Sequence, residues 1–66
     1  MEIRLNGETA EVAEGSSLVD LLATLGLEGR RVAIECNEDI IPRGRHAEHL
    51  LCAGDVVEVV QFVGGG

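Results

Sequence analysis

The sequence contains no lysine, no tryptophan and no tyrosine, and Phe62 is its only aromatic residue. The chain has five arginines and twelve acidic side chains, which gives a net charge of −7 at pH 7. Nucleic-acid binding needs a basic stripe that neutralises phosphates, and an anionic membrane surface repels an acidic chain. We therefore predict neither nucleic acid nor a membrane as partner, and expect a protein with a basic or apolar docking face. The same charge opposes self-association, so the free chain is predicted to be a monomer.

Cysteines and long hydrophobic runs are also scarce. Cys36 and Cys52 form no C-x-x-C pair, which argues against a zinc knuckle, a redox motif or a disulfide framework. The longest apolar stretch, residues 18–27, is broken by Asp20 and is too short to span a bilayer. The first residues lack the pattern of a signal peptide, so we expect a cytoplasmic protein.

The length allows one small domain. The chain has 66 residues, of which 45% are hydrophobic, and this content excludes a disordered acidic tail. A domain of this size buries only about 60% of the surface that its unfolded chain exposes. It has no room for a deep, enclosed pocket, which argues against a self-contained enzyme.

The first half of the chain predicts a hairpin and one helix. Apolar and charged residues alternate over 2–12, and Asn6-Gly7 supplies the two positive-φ positions of a type I′ turn. Ser17 and Asp20 have the spacing of a capping box at the start of a helix over 17–25. Leucines follow there at i, i+3, i+4 and i+7 and form one apolar stripe. These leucines are Leu18, Leu21, Leu22 and Leu25.

The second half predicts three more strands. One strand covers 32–36, where Cys36 shares a face with two apolar residues and is interpreted as a small buried hydrophobe. A short edge strand at Ile40 and Ile41 is stopped by Pro42, and a short helical turn is predicted within 43–51. The last strand is predicted from Val56 to Val63.

The alternation in the last strand predicts an exposed apolar patch. Glu58 should face water, which places Val60 and Phe62 on the same outer face and points Val57 and Val59 to the core. Exposed apolar patches mark contact sites, so we expect Val60 and Phe62 to bind a partner.

The order of elements predicts an α+β fold. Hairpins at both ends and one helix between them favour a mixed sheet of four to five strands with the helix packed across it. This architecture is the ubiquitin-like β-grasp. We expect a β-grasp domain over residues 1–63 and a flexible C-terminal glycine tail over residues 64–66.

The whole chain resembles the ThiS-type sulfur carrier family of thiamine biosynthesis. The resemblance rests on the Asn6-Gly7 hairpin, the segment 37–43 that ends in Ile-Pro-Arg, and Gly54-Asp55 before the last strand. The run 57–66, which ends in three glycines, is its most specific part. Small subunits of molybdopterin synthase share this arrangement of elements, but this chain resembles them less than it resembles the ThiS-type carriers.

The resemblance implies a defined chemistry for the tail. An E1-like adenylating enzyme, using ATP and Mg²⁺, would activate the carboxylate of Gly66, and a desulfurase system would supply the sulfur of a thiocarboxylate. Thiazole synthase would then receive that sulfur. Gly65 and Gly66 carry the motif, with Gly64 as a spacer. The chain itself would bind no cofactor and would be a cosubstrate, not an enzyme.

Other readings stay open from the sequence. The carrier could serve another product, such as molybdopterin or a thiolated tRNA base, or act as a ubiquitin-like protein modifier. A β-grasp binding module with an idle tail is a fourth possibility. Cys52 could be a reactive thiol. A metal site at His46 and His49 lacks further ligands. Arg43 and Arg45 could contact an acidic partner or a nucleotide, although such residues more often lie on a solvated face or pair with local carboxylates.

Overall fold

Residues 1–62, which the computed structural model describes, fold into a five-stranded sheet with one α-helix. The predicted end of the last strand at Val63 and the glycine tail 64–66 lie outside the described residues. The strands are β1 (Glu2–Leu5), β2 (Glu8–Glu11), β3 (Val32–Cys36), β4 (Asp39–Ile41) and β5 (Val56–Gln61). The helix α1 covers Leu18–Thr24, and a 3₁₀ turn covers Arg43–Arg45.

The sheet is mixed, with the strand order β2-β1-β5-β3-β4. The first and last strands lie side by side and parallel, with Leu5 opposite Val57, whereas all other neighbours are antiparallel. The helix α1 connects the β1–β2 hairpin to the β3–β4 hairpin, and β5 lies between β1 and β3. This is the predicted ubiquitin-like β-grasp, in its five-stranded form.

Two asparagine turns anchor the hairpins to β5. Asn6 and Gly7 have φ values of 50° and 83°, which confirms the predicted type I′ turn. The Asn6 Oδ1 accepts a hydrogen bond of 2.8 Å from the N–H of Val59. In the second turn, the Asn37 Oδ1 accepts one of 2.9 Å from the N–H of Val56. The strand that leads into the glycine tail is therefore held from both sides.

The helix begins with the predicted capping box. The N–H of Asp20 donates to the Ser17 Oγ at 3.1 Å, and the N–H of Ser17 donates to an Asp20 carboxylate oxygen at 2.9 Å. Such a cap stabilises a helix by about 1 kcal/mol. The helix ends one residue earlier than predicted, with Leu25 as its C-cap. Leu25 is exposed, not buried with the stripe, because the chain turns away at Gly26, whose φ is 73°.

The core lies between the helix and the inner face of the sheet. Cys36 is part of it, as predicted, whereas Leu51 was not expected there. Leu51 is fixed beside the helix start, where its N–H donates to the carbonyl of Ser16 at 2.8 Å. The buried apolar residues are Ile3, Leu18, Leu21, Leu22, Ile34, Cys36, Leu51 and Val57.

No helix in residues 1–62 is long and apolar enough to cross a membrane.

Candidate functional site

The outer face of the sheet carries the predicted apolar patch. Val60 and Phe62 are 58% and 59% exposed, while Val57 lies in the core and Val59 is half-buried. The alternation along the last strand therefore predicted correctly which residues face the solvent and which face the core. Ile40, on the edge strand β4, is 73% exposed and belongs to the same face. We call Ile40, Val60 and Phe62 the apolar patch.

Sequence reasoning missed Ile40, although a signal was present. Ile40 and Ile41 are adjacent in a strand, so only one of them can face the core. Ile41 opposes the buried Ile34 and is half-buried against the core, which turns Ile40 outward. The register between β3 and β4 decides which isoleucine is exposed, and that register is not visible in the sequence.

A shallow groove of about 190 Å³ runs across this face. Its apolar walls include Ile40 and Val60, and its polar atoms come from Glu35 and Glu58. These two glutamates are direct cross-strand neighbours in the β3–β5 ladder. Like charges in that position destabilise a sheet. The groove thus combines apolar surface with negative charge.

The last described residue fixes where the chain leaves the sheet. The N–H of Phe62 donates to the carbonyl of Arg31 at 2.9 Å, one step beyond the Val32–Gln61 pair. The predicted residues Gly64, Gly65 and Gly66 lie outside the described part.

The two cysteines differ in environment. Cys36 is buried, and its pKa is raised to about 11 by burial and by the nearby carboxylate of Asp55. Its thiol therefore stays protonated at neutral pH and is a poor nucleophile. Cys52 is an exposed free thiol, and its backbone N–H donates to an Asp55 carboxylate oxygen at 2.8 Å.

The histidine pair does not form a common site in the structure. His46 is buried, and its Nε2 donates to the carbonyl of Ile41 at 2.9 Å, whereas His49 is only half-buried. Among residues 1–62, no three histidine, cysteine, aspartate or glutamate side chains gather in a metal-binding arrangement. His46 instead ties the 3₁₀ turn to β4.

Comparison with known proteins finds similarity to sulfur carrier proteins and to thiazole synthases. The sulfur carrier protein ThiS of Bacillus subtilis is 42% identical over 65 residues, covering 97% of this chain and 98% of that protein. ThiS of Escherichia coli is 30% identical over the full length of both. A thiazole synthase of Magnetococcus marinus is 41% identical over 66 residues, and this chain spans only 20% of its length.

The fold has a matching solved structure. The crystal structure of the thiamine biosynthesis protein ThiS from Geobacter metallireducens superposes with a TM-score of 0.83 and 30% identity, over all of both chains. The model of the ThiS family matches residues 3–66. The sequence resemblance, the β-grasp and the full-length relatives agree, and the chain belongs to the ThiS family.

Proposed function

We propose that this chain is a sulfur carrier that delivers sulfur, as a thiocarboxylate on Gly66, to the formation of the thiazole ring of thiamine. One observation carries the proposal. The same 66 residues match sulfur carrier proteins over their whole length and also match a fifth of the length of thiazole synthases. The match to proteins named thiazole synthase favours thiamine over molybdopterin, a tRNA base or a protein modifier as the destination of the sulfur.

The proposed chemistry activates an unreactive group. A carboxylate is a poor electrophile at neutral pH. In the first step a carboxylate oxygen of Gly66 attacks the α-phosphorus of ATP, and pyrophosphate leaves. In the second step the outer sulfur of a persulfide on the desulfurase system attacks the acyl carbon, and AMP leaves, which gives an acyl disulfide. A second thiol then attacks the inner persulfide sulfur, forms a disulfide with it and releases the thiocarboxylate, so that sulfur stands where one oxygen stood. Splitting the substitution through an activated intermediate lowers the barrier of each step.

In this proposal the chain is a cosubstrate, not an enzyme. Glycine has no Cβ, so residues 64–66 can enter a narrow channel and approach a bound nucleotide closely. Ordering such a segment costs about 1–2 kcal/mol per residue. Docking of the folded domain must offset that cost, and we assign the docking to the apolar patch of Ile40, Val60 and Phe62.

The nucleotide and Mg²⁺ belong to the partner in this proposal. The groove on the outer face measures about 190 Å³, and a cleft near Arg30 measures about 150 Å³. A third depression, beside Arg45, Glu48 and His49, measures about 330 Å³, but it is an open polar surface around an exposed ion pair. Small-molecule sites are concave, mostly apolar and have volumes of about 300–1,000 Å³. We therefore assign ATP and Mg²⁺ to an E1-like adenylating enzyme. The free thiols of Cys36 and Cys52 support a cytoplasmic location, where thiols are kept reduced.

Intact mass tests the proposal. The untagged protein, prepared with a free carboxylate at Gly66, is incubated with the adenylating enzyme, ATP, Mg²⁺ and a sulfur donor. We expect a mass gain that corresponds to replacement of one oxygen by sulfur, located at Gly66 by fragmentation. An unchanged mass with a folded protein and an active enzyme would contradict the carrier function and favour a β-grasp binding module.

The apolar patch predicts a large effect of Phe62→Ala on adenylation. Buried aromatic anchors contribute about 2 kcal/mol or more at interfaces, which corresponds to a loss of about 30-fold in kcat/KM. Because Phe62 is 59% exposed in the free domain, the melting temperature should change little.

Leu50→Ala is the matched control for Phe62→Ala. Leu50 is 57% exposed but lies beside Ser17 at the helix start, away from the apolar patch. We expect its kcat/KM to stay within twofold of wild type, as for a surface substitution outside an interface. Equal losses in both variants, or none in either, would show that the patch is not the docking surface.

A further inference from the structure

The charge of the domain is distributed unevenly along β5. Five carboxylates lie at the end where β5 begins. Glu2 and Glu11 oppose each other there, and the Gly54 N–H donates to the Glu2 carbonyl at 2.8 Å. The remaining three carboxylates belong to Glu38 in the turn after β3, to Asp39 at the start of β4, and to Asp55, which accepts a hydrogen bond from Asn37.

Arginines lie at the opposite end of β5. Val32 opposes Gln61, so Arg30 and Arg31 precede β3 at the point where the chain leaves the sheet. Arg31 is held there by the hydrogen bond from Phe62 to its carbonyl. Arg43 faces Arg30 across a cleft of about 150 Å³ between the 3₁₀ turn and the loop before β3. We call Arg30, Arg31 and Arg43 the arginine end.

The arginine end is unpaired within residues 1–62. Arg45, two residues after Arg43, forms an ion pair with Glu48 at 3.3 Å, but none of the three arginines has such a partner in the described part of the chain. Glu28 also lines the cleft without forming an ion pair there. A protein with net charge −7 thus presents three arginines against one glutamate close to Phe62, the last described residue.

We propose that the arginine end docks against an acidic protein surface that surrounds the entrance of the tail-binding channel, with a partner carboxylate entering the cleft between Arg30 and Arg43. This inference rests on the proposed function, since the partner is the adenylating enzyme. It adds a second contact, of opposite charge, to the apolar patch. The partner surface is identified by its chemistry: carboxylates at the channel mouth and apolar side chains beside them.

The charge separation would orient the carrier before contact. Five carboxylates outnumber Arg4 and the Met1 ammonium at one end, and three arginines outnumber Glu28 at the other. This excess of opposite charge gives the described domain an electric dipole along β5. An acidic surface attracts the arginine end and repels the far end, so encounters begin with the tail foremost. Such steering raises association rates by about 10–1,000-fold and weakens with salt. The sequence-based expectation of a basic or apolar partner face followed from the net charge, whereas the arginine end has the opposite sign.

Hydrogen bonds to β4 and α1 fix the 3₁₀ turn that forms one wall of the cleft. The buried His46 donates to the carbonyl of Ile41, and its own carbonyl accepts a hydrogen bond of 3.3 Å from the N–H of Val19. The 3₁₀ turn that carries Arg43 is therefore joined to both β4 and α1. A fixed backbone on one wall lowers the cost of holding an incoming carboxylate.

Binding in the absence of ATP tests this inference separately from the proposed function. The affinity of the adenylating enzyme is measured by titration for wild type, for Arg30→Gln/Arg43→Gln and for Arg4→Gln/Arg45→Gln, at two salt concentrations. Both double variants lose two positive charges, so they match in net charge. Arg4 opposes Val56 at the far end of β5, and Arg45 lies outside the cleft.

We expect Arg30→Gln/Arg43→Gln to bind about tenfold more weakly at low salt, the order of effect of two interfacial charges. Its salt dependence should be reduced, while the control variant stays within threefold of wild type. Equal losses in the two variants would overturn the inference, because net charge alone would then explain them. A loss seen only with ATP present would also overturn it, since the arginines would then contact phosphates. Wild type that binds but gains no sulfur would contradict the proposed function and leave the docking result valid.

Discussion

Deletion of Gly65 and Gly66 is expected to abolish the sulfur mass gain while leaving the fold unchanged. The proposed reaction takes place at the terminal carboxylate, and each residue adds at most about 3.6 Å of reach. A chain that ends at Gly64 would therefore stop about 7 Å short of the nucleotide once the domain is docked. Misplacement by 1 Å can cost a factor of about 100 in rate, so we expect no detectable product within the assay time.

Deletion of Gly64 alone is the matched control for the tail. This variant keeps two terminal glycines but shortens the reach by one residue, about 3.6 Å at most. If Gly64 acts as a spacer, the rate of thiocarboxylate formation should fall without disappearing. The hydrogen bond from Phe62 to Arg31 lies before the deleted residues, so thermal unfolding should be the same in all three proteins. Sulfur loading that persists after loss of Gly65 and Gly66 would contradict the role of the tail.

Local signals in the sequence predicted the elements of this fold. The Asn6-Gly7 turn needs two positive φ values, and the capping box needs Ser17 and Asp20 three residues apart, so each is encoded by adjacent residues. The direction of Val60 followed from the period of two in a strand. These features do not depend on how distant segments pack.

Non-local features could not be predicted in the same way. The exposure of Ile40 depends on the register of β3 against β4, and the burial of Leu51 depends on its bond to Ser16 beside the helix start. The arginine end arises only when residues 30 and 43, thirteen positions apart, meet across a cleft. Net charge is a sum over the sequence, whereas its distribution requires the topology. The exposure of Val60 and Phe62 was therefore predicted, whereas the exposure of Ile40 and the proximity of Arg30 to Arg43 were not.

Alanine substitutions of two isoleucines on opposite faces of the sheet should distinguish a loss of stability from a loss of docking. Ile34 is 0% exposed in the core, and Ile40 is 73% exposed in the apolar patch, on the neighbouring strand. Replacing a buried isoleucine by alanine costs about 2–5 kcal/mol, because transfer energy is lost and a cavity remains. Domains are stable by about 0.05–0.15 kcal/mol per residue, so Ile34→Ala should leave much of the protein unfolded near 37 °C.

Ile40→Ala should show the reverse behaviour. Its free energy of unfolding, measured by denaturant titration, should stay within about 0.5 kcal/mol of wild type, since little apolar area is lost from the core. Its kcat/KM for adenylation should fall several-fold, because the side chain would be buried against the adenylating enzyme. For Ile34→Ala, the rate per folded molecule should be unchanged at a temperature where it still folds. If Ile40→Ala were destabilised as strongly as Ile34→Ala, or were adenylated as efficiently as wild type, Ile40 would not belong to the docking surface.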